Sequence, residues 1–182
     1  MAKFLRLIIT LNLILMSALA WADTTKSTNT DYQLSSGDVI SITVFAEPDL
    51  SFESLKLNDA GSFSYPFLGE VNAQGLTALQ LQNKIAAKLE GDYLVNPKVS
   101  VSILEYRQFY ISGEVKQPGG YPYQPGLTVR RATALAGGLT ERASERRITI
   151  IREADKNKKP KYVSMEDRVM PGDTITIGQG FF

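Results

Sequence analysis

The side chains best suited to bond chemistry are the ones this chain lacks. Among its 182 residues there is no His and no Cys. That removes imidazole-dependent triads, thiol nucleophiles, disulfides and the usual Cys/His zinc sites. Carboxylates, hydroxyls and aromatic rings remain. Glu47 with Asp49, and Glu166 with Asp167, are the close acidic pairs. Neighbours on a strand point to opposite faces, and loop carboxylates are solvated, so neither spacing builds a general acid–base pair. No Ser-x-x-Lys pair is present to activate a hydroxyl. Gly119-Gly120 and Gly137-Gly138 lack the Lys and the strand–loop–helix setting of a phosphate cradle. The chain therefore reads as a non-enzyme, without metal or cofactor.

Basic side chains gather at Arg130-Arg131, at Arg146-Arg147 and from Lys156 to Lys161, near Tyr121 and Tyr123. In an exported chain these read as solvated faces, with no nucleic-acid partner. Tyr65, Tyr121 and Tyr123 offer rings either to sugars or to their own turns, and the residues alone leave both open.

The elements that hold these residues follow from periodicity. Gly37-Asp38 opens a β-rich run through Val44, and a strand at Phe63–Tyr65 breaks at Pro66 before Gly69 and Val71. Thr77 with Gln80 forms a capping box, and Leu81, Ile85 and Leu89 repeat at helical spacing until Gly91. Val99, Val101 and Ile103 alternate with serines as a half-buried strand. Phe109–Val115 predicts another strand, and Pro118-Gly119-Gly120 a turn. Thr128 caps a short helix whose apolar face is Val129, Ala132, Leu135 and Ala136, closed by Gly137-Gly138. Strands at Ile148–Ile151 and Tyr162-Val163 flank a charged loop. Gly-Asp-x-Ile-(Ser/Thr)-Ile occurs twice, at 37–42 and 172–177. Glycine permits positive φ, and the aspartate can bond the turn backbone. Each half reads as strand–helix–strand with flanking strands, an α+β class.

Lys3 and Arg6 precede an apolar run from Leu7 to Ala20, and Ala20-Trp21-Ala22 supplies small residues for cleavage before Asp23. We expect residues 1–22 to be a removable export signal and 23–30 a flexible leader. With no Cys to carry a lipid, the protein is not expected to be a lipoprotein. Composition is ordinary for a globular protein, 43% hydrophobic and 21% charged. Residues 23–100 hold 5 basic and 10 acidic side chains, net −5; residues 101–182 hold 13 and 9, net +4. Two units with different partners are one reading of that asymmetry, and scattered surface charge is the other.

In their order and spacing these residues resemble the outer-membrane polysaccharide export family of Wza-like capsule exporters. The likeness begins with Tyr32-x-Leu34-x-x-Gly37-Asp38-x-Ile40-x-Ile42-x-Val44. It continues through Asp59-x-Gly61, Tyr65-Pro66-x-Leu68-Gly69-x-Val71, Gly75-Leu76-Thr77 and Asn96-Pro97-x-Val99-x-Val101. Ile111-Ser112-Gly113-Glu114-Val115-x-x-Pro118-Gly119-x-Tyr121, then Thr128, Ala134 and Ala136-Gly137-Gly138, resemble a soluble-ligand-binding β-grasp (SLBB) domain that closes on Gly172-Asp173. The resemblance implies a polysaccharide export domain over 31–105 and a single β-grasp domain over 106–182. It implies passage of capsular or exopolysaccharide chains to the cell surface. The setting would be the periplasm, at the outer membrane, in a homo-oligomeric ring served by an inner-membrane copolymerase. On this reading Gly37, Asp38, Pro66, Gly69, Pro118, Gly119, Gly137, Gly138, Gly172 and Asp173 set turns, while Tyr65 and Tyr121 are candidates for chain or subunit contact. The five residues after Ile177 reach only ~17 Å when extended, too short for a membrane-spanning helix. A separate outer-membrane porin is therefore expected, with Phe181-Phe182 either docking on it or fraying. The alternative is a soluble periplasmic ligand-binding module with no transport role.

Overall fold

The computed structural model describes residues 32–180. The expected signal, its leader and the Phe181-Phe182 pair lie outside the described residues.

The chain is α+β, with ten strands and two α-helices among the described residues. Strand β1 (Val39–Val44) turns Ile40, Ile42 and Val44 inward and leaves Thr43 exposed, the period-2 pattern of a half-buried strand. It pairs antiparallel with β2 (Phe52–Lys56) on one side and β5 (Val99–Glu105) on the other. Strands β3 (Ser62–Tyr65) and β4 (Gly69–Asn72) form a separate hairpin. Helix α1 (Ala78–Leu89) starts with the expected capping box: Thr77 Oγ1 accepts from the Gln80 amide at 3.2 Å, and Gln80 Oε1 accepts from the Thr77 amide at 2.9 Å. Its Leu81, Ile85 and Leu89 are fully buried with Ile40, Ile42, Phe63 and Val71 in one apolar cluster. Burying each such side chain contributes about 1.5–3 kcal/mol.

A second apolar cluster runs from Phe109 to Ile177. Its sheet has the order β7 (Gly119–Tyr121), β6 (Phe109–Gly113), β10 (Thr174–Gln179), β8 (Ala143–Ile151), β9 (Lys161–Tyr162). Strand β10 lies parallel to β6 and antiparallel to β8. Helix α2 (Val129–Leu135) packs Val129 and Ala132 into this cluster, with Ala136 just beyond its end. Leu135 does not share that face as expected; it is 42% exposed. At 3.6 residues per turn, Leu135 lies roughly 110° around the helix from the middle of the buried face. Thr133 takes the place instead, buried and donating to the Arg130 carbonyl at 2.8 Å.

Gly119 also departs from expectation. It is extended and paired opposite Ile111, not part of a turn. The left-handed glycine near this reversal is Gly113 (φ +82), where a Cβ would strike the Ile177 carbonyl. Among the described residues no helix is long and apolar enough to cross a membrane.

Candidate functional site

The two Gly-Asp repeats build the same device. In Ser35-Ser36-Gly37-Asp38 and Met170-Pro171-Gly172-Asp173, the Asp amide bonds back to the first carbonyl at 3.2 Å, and glycine sits third at φ +85 or +83. A turn with positive φ at its third residue favours glycine there. The aspartate side chain then accepts from the first residue's amide, Ser35 N at 2.8 Å and Met170 N at 2.7 Å. Each carboxylate also takes a backbone amide from just past the paired strand. Asp38 accepts from Arg107 N at 2.9 Å, beyond β5; Asp173 accepts from Glu153 N at 3.4 Å, beyond β8. Each meets a guanidinium: Arg107 Nη1 lies 3.3 Å from Asp38, and Arg152 Nη1 lies 2.5 Å from Asp173. Both aspartates are buried, and among the described residues no buried side-chain N or O lacks a partner. Buried polar groups persist only when satisfied in this way.

The two devices meet through Arg107. Its Nε donates to Glu153 Oε2 at 2.7 Å, while its Nη1 reaches Tyr32 Oη at 2.5 Å and Asp38. Tyr32 Oη in turn donates to the Asp38 carboxylate at 2.7–2.8 Å. A continuous network thus runs from Tyr32 and Asp38 in the first half to Glu153, Asp173 and Arg152 in the second. Burial and the hydrogen bond to Asp38 push the Tyr32 hydroxyl far above its ordinary range. Burial opposes the Arg107 charge, but its hydrogen bond to Glu153 and the nearby carboxylates outweigh that and hold its pKa above the ordinary arginine value. Burial outweighs the donors around Asp173 and raises its pKa. Beside this network an aromatic ladder spans the same joint: Tyr106 meets Tyr32 edge-on at 4.9 Å and Tyr123 at 5.3 Å. Tyr123 is therefore a packing residue at the joint.

An open cavity of ≈ 500 Å³ lies here, lined by Gly37, Lys56, Tyr106, Arg107, Tyr110 and Glu153 among others. The structure thus brings Gly37, Asp38, Gly172 and Asp173 together. The other candidates lie elsewhere. Tyr65, a contact candidate, is buried in the first core: it is 2% exposed, donates to the Leu50 carbonyl at 2.8 Å and packs on Phe52 and Phe63. Burial pushes its hydroxyl up to about 12. Pro66 and Gly69 (φ +68) shape the β3–β4 reversal. Tyr121 is half-buried against Phe109 and donates to the Gln117 carbonyl at 2.6 Å, so it braces its own turn. Pro118 precedes β7, and Gly137 and Gly138 (φ +79 and +89) close α2.

Two features escaped sequence reasoning. Arg107 lies 69 residues from Asp38 and 46 from Glu153, beyond any local pattern. In the first half, Phe67 and Tyr93 are both exposed and stack on each other at 5.3 Å. Phe67 holds φ +63, a strained value for a bulky residue; its only sequence signal was an apolar residue inside the Pro66–Gly69 turn.

Both carboxylates of the Glu166-Asp167 pair are engaged in local contacts. Glu166 pairs with Arg130 at 2.8 Å, and Asp167 caps the Ser164 amide at 2.6 Å. What the arrangement can do is hold two modules in register around a polar recess.

Residues 26–104 match the family described as polysaccharide biosynthesis/export protein, and residues 108–163 match the SLBB domain. The exopolysaccharide production protein ExoF of Rhizobium meliloti is 43% identical over 82 residues, which is 44% of this chain and 20% of that protein. The EPS I polysaccharide export outer membrane protein EpsA of Ralstonia solanacearum is 25% identical over 135 residues, 60% of this chain and 36% of its own. The polysialic acid transport protein KpsD of Escherichia coli is 27% identical over 164 residues, 82% of this chain and 28% of its own. The matches thus span between a fifth and just over a third of these relatives' lengths. With an export domain followed by an SLBB domain, this chain belongs to the Wza-like polysaccharide export family.

Proposed function

We propose that this protein is a non-enzymatic component of polysaccharide export. It works in the periplasm at the outer membrane as a subunit of an oligomeric conduit that passes capsular or exopolysaccharide chains to the cell surface. The proposed neighbours are an inner-membrane copolymerase and a separate outer-membrane porin. The export domain occupies 31–105 and the β-grasp domain 106–182. The observation that carries this reading is the ordered pair of domain matches, an export domain followed by an SLBB domain, with Arg107 between them bonding Asp38 on one side and Glu153 on the other. A ring needs a heterologous interface, and the acidic first half and basic second half offer complementary patches for one. The test is deletion of the gene under conditions where the parent strain makes surface polysaccharide. Loss of surface polymer with retention inside the envelope is expected. Unchanged surface polymer counts against the reading.

The ≈ 500 Å³ recess favours a second reading, a monomeric periplasmic ligand-binding module. Mass measured at high protein concentration separates the two, since a persistent monomer favours the module.

A further inference from the structure

The five-stranded sheet has one buried face and one open face. Phe109, Ile111, Ile148, Ile150, Ile175 and Ile177 fill the buried side. The alternate residues point the other way, and their register is informative. Ser112 on β6 pairs with Thr176 on β10, Thr176 with Thr149 on β8, and Thr149 with Tyr162 on β9. This sets four hydroxyl side chains in one row, one per strand. Strand spacing makes the row about 14 Å long. Ser112 Oγ and Thr176 Oγ1 already lie 3.3 Å apart. The next row is Tyr110, Thr174 and Ile151. Gly120 lies opposite Tyr110, and the Tyr110 ring crosses it closely, with a Cβ there meeting ring carbon at 3.0 Å. Tyr110 and Tyr162 are 51% and 80% exposed, at diagonal corners of the patch.

A purely solvated sheet face is ordinarily dressed with Lys and Glu, which also block unwanted pairing. Residues 101–182 hold 13 basic and 9 acidic side chains, yet these two rows hold none. Threonine suits a strand on structural grounds alone. Tyr162 does not fit that explanation, because a ring so exposed on a two-residue edge strand gains little from packing. Hydroxyls both donate and accept, so a row of them can meet sugar hydroxyls in either sense. Flat rings at the corners suit the C–H faces of sugars. A peptide would add to the sheet edge through its backbone, and an anionic membrane would call for clustered cations.

We propose that this outward face of the β-grasp sheet is the contact surface for the exported glycan, taking about one sugar ring per strand. The ligand class rests on the export reading above. Such contacts are shallow, uncharged and alike from strand to strand. A conduit needs binding strong enough to admit its cargo and weak and repeated enough to release it.

The test uses the full chain and oligosaccharides released by partial hydrolysis of the producing strain's own surface polysaccharide. Binding is followed by NMR titration for wild type, Tyr162→Ala, Tyr162→Phe and the double variant Thr149→Val/Thr176→Val, each with its melting temperature. Each lost contact is expected to weaken binding roughly three- to tenfold. Tyr162→Phe should keep the ring contact and bind close to wild type, and Lys156→Ala in the charged loop should change nothing. Wild-type binding by Tyr162→Ala and by the double variant overturns the proposal, as does absence of binding by the wild-type chain. Either result leaves the export reading standing if gene deletion still abolishes surface polymer. Unchanged polymer on deletion defeats that reading instead, and the titration then decides the face by itself.

Discussion

The two Gly-Asp turns use the same local chemistry to different ends. Both bury a carboxylate, bond it to the turn's first amide and face it with an arginine. At Asp173 the arginine, Arg152, comes from the strand end beside its own turn and serves one sheet. At Asp38 the arginine sits in the connection between the two halves and also grips Glu153 of the second. A repeated motif therefore supplies local order twice, and one well-placed guanidinium turns one copy into the joint of the molecule.

The largest way to break this comparison is Asp38→Ala. It strips a buried acceptor from Tyr32, Ser35 and Arg107 together, and removing one partner of a buried ion pair costs about 3–5 kcal/mol. Denaturant unfolding should show a loss of that size. The glycines sharpen the contrast at the next level. Ala at position 37 finds room, its nearest neighbour being Arg107 Cβ at 3.7 Å, so only the positive φ opposes it, at about 1–2 kcal/mol. Ala at position 172 also collides with Glu153 and Arg107, so Gly172→Ala should lower the melting temperature more than Gly37→Ala. Equal losses would mean that the Arg107–Glu153 pair carries no weight.

Acidity separates the turns further. The Asp173 carboxyl has a raised pKa because burial disfavours its charge. The folded state therefore holds this proton more tightly than the unfolded chain does. That stabilising contribution is complete below the ordinary carboxylate range and fades as pH rises through the raised value. Asp173→Asn, which cannot ionise, should flatten this limb of the stability–pH curve; an unchanged limb would assign it to another group. The smallest effects are expected at the surface. Glu153, with its side chain 37% exposed, should cost no more than about 1 kcal/mol as Glu153→Gln. Tyr162→Ala should leave stability within about 0.5 kcal/mol of wild type.

Much of this architecture can be read in the chain because it rests on local rules. The Gly-Asp-x-Ile repeat marks both turns, and Thr77 with Gln80 marks the start of α1. The parts that could not be read depend on distant partners. Tyr65 could be read either as a contact ring or as a packing ring, because its hydroxyl's acceptor, the Leu50 carbonyl, lies on another element. Gly119 looked like a turn because Pro118 precedes it, yet the reversal uses Gly113, pressed against Ile177. Leu135 fitted a loose helical pattern that Thr133 filled better. Arg107, the residue that joins the halves, has no local signature. The row from Ser112 to Tyr162 exists only once four strands, two of them parallel, are in register.

A role in polysaccharide export stands or falls on the amount of polymer at the surface of a strain lacking this gene, with and without the wild-type chain restored. A bare surface is expected without the protein and a coated one on restoration. An equally coated surface in both would contradict that role.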